Sequence, residues 1–87
     1  MHETSLMNDL MRKVEAILSE HHAKRVLSIK VRLGALSHFS PEHFREHFEI
    51  AARRTSAEHA SLEIELASDT HDPHAQDVMI ESIEVEE

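Results

Sequence analysis

The first three residues, Met1-His2-Glu3, bring together donors that one metal ion can use at the same time. A free terminal amine and the amide nitrogen of His2 close a five-membered chelate ring. That amide and the His2 imidazole close a six-membered one. The amide must lose its proton to bind, which suits Ni(II) or Cu(II) in planar nitrogen sites better than zinc or magnesium. Glu3 offers a fourth donor through its amide nitrogen or its carboxylate. His is not a small residue, so trimming of the initiator Met is not expected. The amine must also deprotonate, and affinity is expected to rise through the ordinary α-amine pKa of about 8. Taken alone, a His at position 2 reads as an exposed terminal residue.

Nine His in 87 residues are a bias towards metal and not yet a site. His71 and His74 stand three apart, with the gap of a Cys-x-x-Cys knuckle, among Asp69, Asp72 and Asp77. A closed zinc site wants about four ligands, so a polar hairpin loop is the preferred reading. His43 and His47, four apart, could grip one ion from one helix face. They border Phe44 and Phe48, which favours partly buried packing histidines. His21-His22 falls at a helix end, where a cationic side chain complements the dipole. Met7 and Met11 read as core filler. No nucleophile is paired with a base and no phosphate loop exists, so no catalytic residue, no cofactor-binding residue and no enzyme activity is expected.

The elements that must hold these residues follow from periodicity. Between Thr4 and His22 the apolar residues Leu6, Met7, Leu10, Met11, Val14, Ile17 and Leu18 form one stripe of an amphipathic helix. From Lys24 to Leu33 the period becomes two, with Leu27, Ile29, Val31 and Leu33 pointing one way. Gly34 ends that strand. Ser40-Pro41 opens a second helix as N-cap and first helical residue, with Phe44, Phe48, Ala51 and Ala52 as its buried stripe. Leu62, Ile64 and Leu66 alternate with Glu63 and Glu65 in a second strand. Residues 68–77 are polar and read as a loop. Val78 to Glu86 is a third strand, with Met79, Ile83 and Val85 inward and Ile80 leaving its register open.

The order α-β-α-β-β predicts an α+β fold, a two-layer sandwich with two helices on one face of a three-stranded sheet. Strand order stays open. The strand-helix-strand unit favours a parallel pair, and the loop after Leu66 favours an antiparallel one. The exposed glutamates at 63, 65, 81 and 84 read as a solvated sheet face that keeps edges from pairing.

Composition narrows the function classes. The chain is one domain's worth, and its 40% apolar content supports one modest core built almost without aromatics. The absence of Cys excludes disulfides, thiolate zinc sites and thiol catalysis. A net charge of −8 argues against a nucleic-acid partner, which needs a basic face. No apolar run approaches the roughly 20 residues of a membrane span, and His2, Glu3 and Asp9 interrupt any secretory signal. A cytoplasmic location and no membrane partner are therefore expected.

Met1-His2-Glu3-Thr4-Ser5-Leu6 resembles the start of the HypA/HybF family, the nickel-insertion accessory proteins of [NiFe]-hydrogenase maturation. The likeness continues through Ala23-Lys24-Arg25-Val26, Val31-Arg32-Leu33-Gly34-Ala35-Leu36-Ser37, Pro41-Glu42, Phe48-Glu49 and Leu62-Glu63-Ile64-Glu65 to the tail Ile80-Glu81-Ser82-Ile83-Glu84-Val85. The ordered set covers nearly the whole chain. It implies Ni(2+) held by the Met1 amine, His2 and Glu3. It also implies nickel capture and delivery together with a HypB-type GTPase and the hydrogenase large subunit precursor.

One departure from the family is large. It inserts a zinc domain with two Cys pairs between the last two strands, where this chain carries only residues 68–77. No structural zinc is expected, either because this is a paralogue without that domain or because the domain was removed. A smaller departure is that His38, Arg54 and His59 stand where the family often has Gly, at positions that commonly need φ > 0. An alternative function is a metal-independent interaction or regulatory module that docks on the maturation machinery. The oligomeric state is left open.

Overall fold

The computed structural model describes residues 3–87, with Glu3 described by its backbone alone. α1 runs Glu3–Glu20. Its Met7, Leu10, Val14 and Leu18 are buried at helical spacing and form one wall of the core. The helix ends in a Schellman turn: the Ala23 amide donates to the Leu18 carbonyl at 2.9 Å and the His22 amide to the Ser19 carbonyl at 3.3 Å. This arrangement places His22 in the left-handed region, at φ 51°. The capping role expected at His21-His22 is thus met, through the backbone conformation of His22.

β1 is Arg25–Leu33, α2 is Pro41–Ala52, β2 is Ser61–Leu66 and β3 is Val78–Glu86. The order α-β-α-β-β and the two-layer α+β architecture are as the sequence predicts. The sheet order is β2-β1-β3. β1 pairs parallel with β2 and antiparallel with β3. The parallel pair is the one the strand-helix-strand unit favours. The antiparallel pair joins β3 to β1, so residues 67–77 are not a hairpin loop. They carry the chain from one edge of the sheet to the other, across the end of β1.

Gly34 makes that crossing possible. A Cβ at this position would run into the carbonyl groups of Ala75 and His74. Without one, the Gly34 amide donates to the Asp77 carbonyl at 2.9 Å and the Leu36 amide to the Ala75 carbonyl at 2.6 Å. Ala75 is buried there at 5% exposure. The connection is thus held to the end of β1 backbone to backbone.

Two irregularities in the β1–β3 ladder correct the inward sets read from alternation. The register shifts between Val26 and Ser28, and again between Lys30 and Val31. Each extra residue reverses the parity of a strand beyond it. Val26 is therefore buried and Leu27 is exposed at 42%. On β3 the inward residues are Val78, Ile80, Ile83 and Val85, whereas Met79 faces out. Leu66, at the end of β2, is exposed as well.

The opposite sheet face is charged in a complementary pattern. Lys30 and Arg32 on the central strand stand beside Glu63 and Glu65 of β2. Ser28 donates from Oγ to Glu84 Oε1 at 3.0 Å. Opposite charges on neighbouring strands contribute about 0.2–1 kcal/mol per pair. The acidic edges also discourage pairing with another chain.

His38 and Arg54 have φ values of 65° and 63°, the left-handed conformation inferred at these glycine-like positions, whereas His59 is not among the positive-φ residues. Replacing His22 with Gly is expected to stabilise the fold by about 1 kcal/mol, because the left-handed region penalises a Cβ by roughly that much. Gly34→Ala is expected to destabilise by about 1–3 kcal/mol, the cost of forcing a methyl into packed structure. Urea midpoints with unchanged m-values would measure both.

Candidate metal centre

Met1, His2 and the side chain of Glu3, the ligands inferred from the sequence, lie outside the described residues. What the structure does define is the scaffold next to them. The backbone of α1 opens at Glu3. The first four N–H groups of a helix have no intrahelical acceptor. Ionising the Glu3 amide to bind a metal would therefore cost α1 no hydrogen bond.

The elements around that end come from distant parts of the sequence. Leu6 and Lys13 of α1, His38 and Phe39 of the turn after β1, and His74 of the crossing segment line one groove. This grouping has no signal in the local sequence. It arises because α1 precedes β1 while the 34–39 turn and residues 67–77 both sit at the far end of β1.

α2 positions two further histidines at the edge of this region. Ser40 is its N-cap, extended at φ −85° and ψ 152°, and its Oγ accepts from the His43 amide at 3.1 Å. Phe44, Phe48 and Ala52 fix the rotation of the helix by burial at 0, 2 and 1% exposure. His43 and His47 each stand one residue before a buried Phe, about 100° around the helix. They lie on the rim of the buried stripe, with His43 exposed and His47 half-buried. The partly buried packing role expected from sequence holds for His47, whereas His43 is exposed and only its ring contact with Phe39 is of that kind. The two imidazole Nε2 atoms approach to 2.9 Å, with ring centroids 4.6 Å apart. Phe39 flanks His43 at 6.2 Å between centroids and meets Phe44 edge-on at 5.7 Å.

The crossing segment uses its carboxylates differently. Asp69 Oδ1 accepts from the His71 amide at 2.9 Å, and Asp72 Oδ1 from the His74 amide at 2.7 Å. These are two successive Asx turns, which stiffen a segment that has no ladder of its own. His74 Nδ1 lies 2.9 Å from Asp77 Oδ2. Among the described residues, no group of three or more His, Cys, Asp or Glu is arranged to hold a metal ion. The His71/His74 pair with its aspartates therefore does not assemble into such a cluster. No helix among the described residues is long and apolar enough to cross a membrane.

Comparison with known proteins gives a consistent result. A family model described as hydrogenase/urease nickel incorporation, metallochaperone, HypA matches residues 1–75. The hydrogenase maturation factor HypA of Desulfitobacterium hafniense is 39% identical over 66 residues, covering 76% of this chain and 58% of that protein. HypA 1 of Bradyrhizobium diazoefficiens is 42% identical over 64 residues, covering 74% of this chain and 57% of that one. The chain thus spans just over half the length of these relatives. Among solved structures, the nickel metallochaperone HypA from Helicobacter pylori superposes with a TM-score of 0.84 at 16% identity, covering 99% of this chain and 98% of that one. At that identity the likeness concerns the fold.

Ser40→Ala is expected to destabilise the protein by about 1 kcal/mol, the usual loss for an N-cap. The first turn of α2 should fray with it. Hydrogen exchange at the His43 amide would report the fraying directly.

Proposed function

The chain belongs to the HypA family, and from that premise we propose that it is a nickel-binding metallochaperone whose ion is held by the Met1 amine, His2 and Glu3. Nickel is cargo here and not a resident cofactor, and the protein binds and hands it on without catalysing a reaction. The observation that carries this reading is the family match, which begins at residue 1 and includes Met1-His2-Glu3. The chemistry of the donor set agrees with it. An amine, an ionised amide and an imidazole present three nitrogens in fused chelate rings, a set that favours planar Ni(II). The helix start at Glu3 adds an amide whose proton α1 does not need.

Nickel capture of this kind is coupled to protons. The terminal ammonium and the His2 amide each lose a proton on binding, so acidification releases the ion. A chelate built mainly from chain nitrogens also needs no preformed cavity. It can therefore form at a terminus and be passed on by ligand exchange. The partners proposed for that exchange are a HypB-type GTPase and the hydrogenase large subunit precursor, in the cytoplasm. The segment 68–77 is proposed to stand in place of a zinc-binding domain, with Asx turns and backbone contacts doing what a structural zinc would otherwise do.

An N-terminal Gly-Ser extension separates the terminal chelate from every side-chain site. It blocks the amine and leaves all side chains unchanged. About one tight Ni(II) per chain is expected for the unextended protein, seen as the absorbance of a planar site and by calorimetry. The extension and His2→Ala should each remove that binding, and unchanged affinity in the extended chain would sink the proposal.

A further inference from the structure

We propose that His43 and His47 of α2 together bind Ni(II) or Cu(II), adding two imidazole ligands to those proposed at the chain start. Residues four apart on a helix share a face, and pairs of His at this spacing are an established way to grip a transition metal. Many such pairs point apart, but here the two Nε2 atoms are 2.9 Å from each other. Two nitrogens about 2.0–2.1 Å from a common ion and this far apart subtend an angle of about 90°. That is the angle between neighbouring ligands of a planar or octahedral ion. A tetrahedral ion would need the nitrogens about 3.3 Å apart. Imidazole nitrogens at this separation suit Ni(II) and Cu(II).

The surroundings hold the rings in place. The buried Phe44 and Phe48 fix the face that α2 presents. The Ser40 cap orders the turn carrying His43, and the Phe39 ring flanks its imidazole. In the contact as it stands, one Nε2–H donates and the other Nε2 accepts. To bind a metal, the donor ring moves its proton from Nε2 to Nδ1, and both Nε2 lone pairs then face the ion. Two neutral rings lose no proton in this step.

Among the described residues no third His, Cys, Asp or Glu completes a cluster here. Two imidazoles without a fused chelate ring hold an ion by monodentate bonds, which exchange one at a time.

The test uses the full chain with the Gly-Ser extension, titrated separately with nickel chloride and copper chloride in non-coordinating buffer. One ion of either metal should bind, with Kd raised at least tenfold by His43→Gln or His47→Gln and unchanged by His71→Gln plus His74→Gln. Copper should broaden the ring resonances of His43 and His47 first, a readout on the unsubstituted side chains that does not depend on any variant folding. Binding should also raise the thermal midpoint by linkage, and that rise should vanish in the double His43→Gln/His47→Gln variant. No binding by the extended chain overturns the proposal, as does binding that survives the double variant or broadening centred on His71 and His74. Because the extension removes the terminal chelate, these outcomes bear on α2 alone. The terminal site is judged by the unextended chain.

Discussion

The structure depends on β1 being paired along both edges. Its Val26, Ile29, Val31 and Leu33 are all at most 2% exposed, and it is the central strand of the sheet. To place a neighbour on each side, the chain must pass the end of β1 after β2. That passage brings two backbones together at Gly34, where a side chain would collide with Ala75 and His74. The chain's only glycine is thus spent on a close approach. Other positions that would suit glycine are occupied by His22 and Arg54 after the two helices and by His38 in the turn before α2, all in the left-handed region.

The crossing has a functional consequence through geometry. It sets residues 67–77 beside the 34–39 turn and the first half of α1. It does so with backbone hydrogen bonds and two Asx turns. The carboxylates of Asp69 and Asp72 accept from main-chain amides, which accounts for their spacing without a metal. A segment that looks in composition like a metal loop therefore serves as a structural strap. It frames the end of the molecule from which α1 begins.

The two metal sites proposed differ in what they ask of the fold. The terminal chelate draws its nitrogens from the chain end and needs only that the amine be free and the first amides unpaired. The His43/His47 pair needs the opposite, a rigid helix with a fixed rotation, and α2 supplies it by burying Phe44 and Phe48. The first would gain strength from fused chelate rings, and the second would rely on two monodentate imidazoles.

The sequence by itself determined the elements, their order and the two-layer architecture, because amphipathic periods of 3.6 and 2 reflect local geometry. It also determined the donor chemistry of Met1-His2-Glu3, which follows from covalent connectivity and needs no tertiary contact. Family membership was legible for the same reason: the ordered motifs survive in the chain as written. The tertiary structure alone decided that β3 pairs with β1, since strand partners are chosen by burial over long sequence separation. It also decided which way Leu27 and Met79 face. Alternation assumes an unbroken ladder, and the two register shifts that reverse its parity come from pairing with a distant strand. The rotation of α2 was likewise decided in three dimensions. The i,i+4 spacing of His43 and His47 was visible from the start. Their position on the rim, with nitrogens within 2.9 Å, came from the Phe residues turning inward.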